Sequence, residues 1–127
     1  MSTAISISLS DSTGSSVDFP LVAKDNGYVR WEAPGVDGKL SQATRVALKS
    51  TAPSNRDDES VAKNRLLLTK PRFDVDGVAI TPLFIDCRFD MPNGATALEK
   101  ADIYAFLDAA VSEVLIKDQI SGNDMIV

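Results

Sequence analysis

The sequence predicts an α+β protein in which an antiparallel sheet comes first and a helix last. Apolar and polar residues alternate with period 2 over the first two thirds of the chain. After Pro92-Asn93-Gly94 the period changes to 3.6, at a helix-capping sequence. Strands that precede a helix, rather than alternating with helices, indicate antiparallel pairing. A chain of 127 residues accommodates one domain.

The elements follow in order. Ala4-Ile5-Ser6-Ile7-Ser8-Leu9 alternates as a half-buried strand does, and Asp11-Ser12-Thr13-Gly14-Ser15 is a turn by composition. Ser16–Val22 is then expected to return as its hairpin partner. Asp25-Asn26-Gly27 turns into Tyr28–Glu32, which Pro34-Gly35-Val36-Asp37-Gly38 closes. In Gln42–Ser50, Ala43, Arg45, Ala47 and Lys49 share one face, with Thr44, Val46 and Leu48 on the other. Thr51–Ser60 is a polar loop. Ala62–Lys70 sets Lys63, Arg65, Leu67 and Thr69 against Asn64, Leu66, Leu68 and Lys70. A tight connection over Phe73–Gly77 leads to a long strand over Val78–Met91, with a break or bulge expected near Pro82. In it Phe84, Asp86, Arg88 and Asp90 alternate with Ile85, Cys87, Phe89 and Met91.

Thr96-Ala97-Leu98-Glu99 is a capping box, and a helix is expected from Ala97 to about Lys117. Leu98, Ala101, Ile103, Phe106, Ala110, Val111 and Val114 form its apolar stripe. After it, Ile120–Val127 ends in the short apolar segment Met125-Ile126-Val127. One helix cannot cover a whole sheet face, so a second chain is expected to supply the rest, as a dimer.

Composition restricts the chemistry. There is no histidine, which removes the commonest general base and metal ligand. The single cysteine, Cys87, can form neither an internal disulfide nor a thiolate zinc site, and among Ile85, Phe89 and Met91 it reads as a buried inert thiol. Met1-Ser2-Thr3-Ala4-Ile5 lacks the basic start and apolar run of a signal peptide, no stretch has a membrane-spanning length, and the composition reads as that of an intracellular product. The net charge of −5 divides unevenly: residues 1–27 carry −2, residues 28–72 carry +4 and residues 73–127 carry −7. Phosphate responds to a local patch more than to a total, so the middle third is the candidate nucleic-acid surface. The plain alternative is a solvated sheet face.

Asn26-Gly27-Tyr28-Val29-Arg30-Trp31, Ser41-Gln42-Ala43-Thr44-Arg45-Val46, Lys63-Asn64-Arg65 leading to Pro71, and Phe84–Pro92 followed by the capped helix together resemble the coat proteins of the single-stranded RNA bacteriophages, the leviviruses. The resemblance runs from about Asp25 to the C-terminus, and its weight lies in the order and spacing of several weak motifs. It implies one coat-protein domain over residues 1–127: an N-terminal hairpin over 1–24, a five-stranded antiparallel sheet over 25–91, and two helices over 95–127. Two subunits would join into an intertwined homodimer with one ten-stranded sheet, and dimers into a T=3 icosahedral shell. The implied partners are the chain itself, genomic single-stranded RNA and a viral maturation protein, with no membrane, no cofactor and no enzymatic activity. The implied location is the virion, assembled in the bacterial host cytoplasm. Translational repression through an RNA hairpin is implied as well.

Carried over residue by residue, the resemblance assigns RNA binding to Tyr28, Arg30, Arg45, Ala47, Lys49, Lys63, Arg65, Thr69, Phe84 and Asp86. Phe84 falls where the family stacks an aromatic on a base. An alternative register for residues 62–70 would choose Leu66, Leu68 and Lys70, but the first keeps Leu66 and Leu68 under the helices. Leu67, Ala47, Asp86 and Asp90 make this face less basic than a strong hairpin binder requires, so general RNA packaging is the firmer expectation. Little room for a long loop lies between Phe73 and Val78, so shell contacts are expected from a short turn there or from Thr51–Ser60.

Other readings stay beside these. Tyr28 and Phe84 are also suited to packing, and Trp31 reads as core. Asp57-Asp58-Glu59 reads as a solvated loop. Asp74-x-Asp76-Gly77 begins like a calcium loop, but Ile85 stands where the bidentate Glu belongs, so no metal is assigned. No carboxylate has a nucleophile or base partner. The competing function is a dimeric RNA- or ssDNA-binding protein that does not assemble.

Overall fold

The computed structural model describes residues 6–35 and 42–122. The start of the first expected strand at Ala4-Ile5, the N-terminal Met1–Ile5 segment, the turn residues Val36-Asp37-Gly38, Ser41 of the Ser41–Val46 motif, and the tail residues 123–127 lie outside the described residues.

Strands β1 (Ile7–Ser10) and β2 (Ser16–Phe19) form the N-terminal hairpin. Asp11 organises its turn: Oδ1 accepts from the Thr13 N–H at 2.8 Å, the Thr13 hydroxyl at 2.6 Å and the Ser15 N–H at 3.0 Å. The expected return over Ser16–Val22 is split at Pro20. Proline has no N–H to give a ladder, and its carbonyl instead accepts from the Glu32 N–H at 3.1 Å. The chain thereby leaves the hairpin and enters the main sheet at β3 (Leu21–Asp25), ahead of the expected boundary at residue 25.

That sheet has five antiparallel strands in sequence order: β3, β4 (Tyr28–Ala33), β5 (Thr44–Thr51), β6 (Val61–Phe73) and β7 (Ala79–Pro92). Gly27 makes the β3–β4 turn at φ +73, and a Cβ there would meet the Ser50 carbonyl oxygen at 2.6 Å, so only glycine fits. The bulge expected near Pro82 is present: the β6–β7 register shifts between Lys70 and Arg72, where Pro71 faces Thr81 and Pro82. Beyond it the two strands pair only with each other and close through Asp74–Val78, where Asp74 Oδ1 accepts from the N–H groups of Asp76 and Val78.

Trp31, Val46, Leu68 and Ile85 lie side by side across β4–β7 on one face, and Val29, Leu48, Leu66 and Cys87 form the next row. The hairpin covers part of this face through Ile7, Val17 and Phe19, which pack with Ala33, Val46, Trp31, Leu66 and Leu68. The β7 side remains uncovered.

The two C-terminal helices that the resemblance implies are present, α1 (Ala97–Ser112) and α2 (Val114–Ile120), where periodicity alone gave a single helix to about Lys117; they are separated at Glu113, whose backbone is extended. Neither glycine nor proline stands at the break. The apolar residues also do not keep to one stripe: Leu98, Ile103, Tyr104, Phe106, Leu107 and Val111 are all exposed, and no residue of α1 is buried. Apolar surface around a whole helix belongs in an interior. The accessible surface of the chain is 9802 Å², against about 6,600 Å² for a typical monomer of this mass.

The direction in which α1 leaves the sheet is set by a clip. Asn93 Nδ2 donates to the carbonyls of Asn55 and Asp57 at 3.0 Å each, and the Gly94 N–H to Asp58 O at 2.9 Å. The β5–β6 loop is thus tied to the β7–α1 junction. Thr96 then caps α1: its hydroxyl accepts from Glu99 N at 3.1 Å, and Glu99 Oε1 accepts from Thr96 N at 3.0 Å.

Replacing Thr96 by Ala is expected to cost about 1 kcal/mol of stability, measured by urea unfolding. Hydrogen bonds to the charged form hold the Asp11 and Glu99 carboxyls below their ordinary values of 3.8 and 4.5. A lowered folded-state pKa stabilises the fold above the ordinary value, and that contribution is lost as pH falls through the folded one. The melting temperature should therefore drop on the acid side of the carboxylate range, less steeply in Glu99→Gln, which keeps the cap but does not titrate.

Candidate nucleic-acid interface

The opposite face of the sheet is polar, and the register assembles it from four strands. Tyr28, Lys49, Arg65 and Arg88 lie in one row across β4–β7. Arg30, Ala47, Leu67 and Asp86 make the next, Glu32, Arg45, Thr69 and Phe84 a third, and Thr51, Lys63 and Asp90 a fourth across β5–β7. All ten positions singled out from the sequence share this surface. The register is the one that keeps Leu66 and Leu68 on the apolar side, whereas the alternative set of Leu66, Leu68 and Lys70 falls there, opposite Cys87, Ile85 and Leu83.

Across these rows six cations stand against three carboxylates. In the protein as a whole, acidic side chains outnumber basic ones by 18 to 13. The segregation expected from the charge distribution is thus realised as a surface. Its components are unequally available. Glu32, only 5% exposed, holds Arg30 Nε and Arg45 Nε at 3.1 Å each from one carboxylate oxygen. Arg65 donates to both oxygens of Asp86, from Nε to Oδ1 at 3.2 Å and from Nη2 to Oδ2. Arg88 grips Asp90 in the same two-pronged way, at 3.1 and 2.9 Å. Among the described residues, Lys49 and Lys63 make no ion pair.

Lys49, Thr51, Lys63, Arg65, Asp86 and Arg88 line an open concavity of ≈ 640 Å³. Its one carboxyl, Asp86, is held below its ordinary value chiefly by the Arg65 hydrogen bonds, with the Arg65 and Lys49 charges adding to them. The Arg65 guanidinium is raised by the same pairing. Phe84 stands 59% exposed beyond the Asp86 row, with room for a planar group over its ring. Tyr28 and Arg30 are half-buried, and Ala47 is buried between Arg30 and Leu67 in its own row. The arrangement can take up a strand of phosphates along the lysines and a flat ring at Phe84.

Five members of the surface were not assigned to RNA binding from the sequence, Glu32, Thr51, Leu67, Arg88 and Asp90, although Leu67 and Asp90 were already placed on this face. The signal for Glu32 and Arg88 was present too, since alternation along their strands places them with residues that were selected. Thr51 was taken for the first residue of a loop, but β5 runs one residue further.

No family model matches the chain, and no curated protein matches it in sequence. Solved structures do match. A subunit of the virus-like particle of bacteriophage ESE058 is similar at 18% identity and a TM-score of 0.79, over 99% of this chain and 100% of that one. The particle of bacteriophage NT-214 gives 16% and 0.79 over 99% and 100%. An unassembled virus coat protein dimer, described as a bacteriophage RNA-binding dimer, gives 21% and 0.73 over 97% of each chain. This chain has the fold those proteins share: hairpin, five-stranded sheet and two C-terminal helices.

Glu32→Gln is expected to lower stability by about 1–3 kcal/mol, because Arg30 and Arg45 would then face each other with no carboxylate between them. The loss should shrink as salt screens the two guanidinium groups. Urea unfolding at low and high salt reads both; a loss insensitive to salt would show that the carboxylate only fills space.

Proposed function

We propose that this chain is the coat protein of a single-stranded RNA bacteriophage, a structural protein rather than an enzyme. The observation that carries the reading is that the two faces of one sheet each demand a different partner. One presents the open cations Lys49 and Lys63 and, two rows from Lys49 and three from Lys63, an exposed aromatic, Phe84. The other leaves Ile85 half exposed and no residue of α1 buried by its own chain. The similarity in fold to virus-like particle subunits and to an RNA-binding coat dimer supports it.

In this reading the partner for the apolar side is a second copy. The outer edge of β7 has no neighbour among the described residues, and a strand of 14 residues is a template for another strand. Two β7 strands side by side would give one ten-stranded sheet. Each α1 would then lie over the partner's uncovered face, which also explains a groove of ≈ 320 Å³ between Phe89 and Met91 of β7 and Ile103, Tyr104, Phe106 and Leu107 of α1. The surface in excess of a typical monomer, roughly 3,000 Å², is on the scale that large obligate interfaces bury.

The charged face would line the inside of a T=3 shell and bind the genome, with a phage maturation protein as a further partner and the host cytoplasm as the place of assembly. The Asp74–Val78 turn, with Val75 fully exposed, suits contacts between dimers. The Thr51–Ser60 loop suits them less, because it is engaged with Asn93 and Gly94. Binding an RNA hairpin to repress translation would draw on the same face, through Phe84 and the rows around it.

Expression of the protein alone, followed by negative-stain microscopy and the 260/280 nm absorbance ratio, tests assembly. Uniform round shells containing nucleic acid are expected; a soluble dimer without shells would favour the non-assembling nucleic-acid-binding protein. Phe106→Ala should weaken the dimer, read by analytical ultracentrifugation, while a tightly dimeric variant would place that ring within its own subunit. Lys49→Ala and Lys63→Ala should each weaken RNA binding and reduce the slope of log affinity against log salt by about 1.

A further inference from the structure

Every arginine on the charged face is held by a carboxylate of that same face, whereas its two lysines are open. The pairs are not equivalent. Glu32 is buried and sits between two arginines, as a structural bridge does. Asp90 lies on the same strand as Arg88, two residues away. Asp86 reaches across from β7 to Arg65 on β6 and stands inside the concavity, with four cations lining it and no other carboxylate.

The row that contains Asp86 explains why it turns to Arg65. Its direct cross-strand neighbour is Leu67, which offers no donor, and the next position across is Ala47. Arg65 in turn faces Arg88 directly, a pairing of like charges that is unfavourable unless an anion lies nearby. Asp86 supplies that anion, and in doing so occupies the Nε–Nη2 edge of Arg65. The planar guanidinium is the group best shaped to grip a phosphate by two parallel bonds. While Asp86 holds the Nε–Nη2 edge, only the remaining Nη donors of Arg65 are open to a phosphate.

We propose that Asp86 is a built-in competitor of RNA phosphate: a backbone phosphate entering between Lys49 and Lys63 takes the Nε–Nη2 edge of Arg65 only by displacing Asp86. This rests on the reading of the face as RNA-binding and adds to it how the strength of that binding is set. The exchange holds generic affinity low without removing the cation, so that the face grips a phosphate strand loosely and contacts to bases, such as stacking on Phe84, weigh more in what is bound. No group is lost or transferred; one anion takes the place of another on the same fork.

The test is binding of a short fluorescent single-stranded RNA to the purified full-length protein over a range of salt. Asp86→Asn should raise affinity roughly tenfold at low salt and steepen the salt slope by about 1, as expected for one more available cation. Arg65→Gln should lower affinity, and the double variant Arg65→Gln/Asp86→Asn should return near the wild-type value, because it removes a pair that cancels itself. Asp86→Ser serves the same purpose should the Asn variant not fold. If neutral substitutions at Asp86 leave affinity and slope unchanged while Lys49→Ala and Lys63→Ala still weaken binding, Asp86 only separates Arg65 from Arg88, and the inference fails alone. If the lysine variants also change nothing, the RNA-binding reading fails with it.

Discussion

The antiparallel register of β4–β7 is the constraint on which everything else in this protein depends. Side chains alternate across a strand, so one residue of slip in β6 would exchange Arg65 for Leu66 and send each to the wrong face. Held in register, the four strands sort the middle of the chain into one mainly apolar and one mainly charged surface: Val46 opposite Leu68 and Ile85 on one side, Lys49 opposite Arg65 and Arg88 on the other. Local devices keep the strands in place. Gly27 allows the β3–β4 turn to pass under Ser50, and Asp74 closes the β6–β7 turn with its own carboxylate. At the bulge, Pro71 and Pro82 face each other where neither can donate to a ladder.

What the apolar surface lacks is as informative as what it has. Only Phe19, Ala33, Ala43, Val46 and Ala47 are buried hydrophobics among the described residues, and three of the five are alanines. That is little burial for a chain of this length, while large apolar side chains on α1 and β7 stand in water. Hydrophobic stabilisation scales with area removed from solvent, so covering that area would add to the stability of this fold. The Asn93 clip to the β5–β6 loop fits the same picture: it orients a helix that its own sheet does not hold.

The charged surface combines attraction with restraint. A protein of net charge −5 concentrates cations on one face, yet ties each arginine there to a carboxylate and leaves the lysines to meet solvent. Arginine and lysine differ in this role, because the guanidinium fork is matched by a carboxylate as well as by a phosphate, whereas an ammonium is a mobile point charge. Within the ≈ 640 Å³ concavity that difference separates immediately available charge from charge that must first be released.

Much of this was legible in the sequence, for a definite reason. Period-2 alternation, the capping box at Thr96-Ala97-Leu98-Glu99, the turn at Asn26-Gly27 and the prolines near the bulge are local signals, and each marks an element that the structure contains. The faces of individual strands were legible too, because alternation alone decides them. Three features were not. Pro20 reads as part of a strand until Glu32 is known to donate to its carbonyl from a neighbouring strand. Two helices were expected, but the place of the break between them, at Glu113, carries no helix-breaking residue. The pairing of Arg65 with Asp86 joins residues 21 positions apart through a ladder whose offset no local pattern states. Which side chains can share a face follows from the geometry of a single strand, so the order of residues was enough to read it. Which of them meet, and so which cations are held and which are open, depends on the register between strands and became visible only in the folded chain.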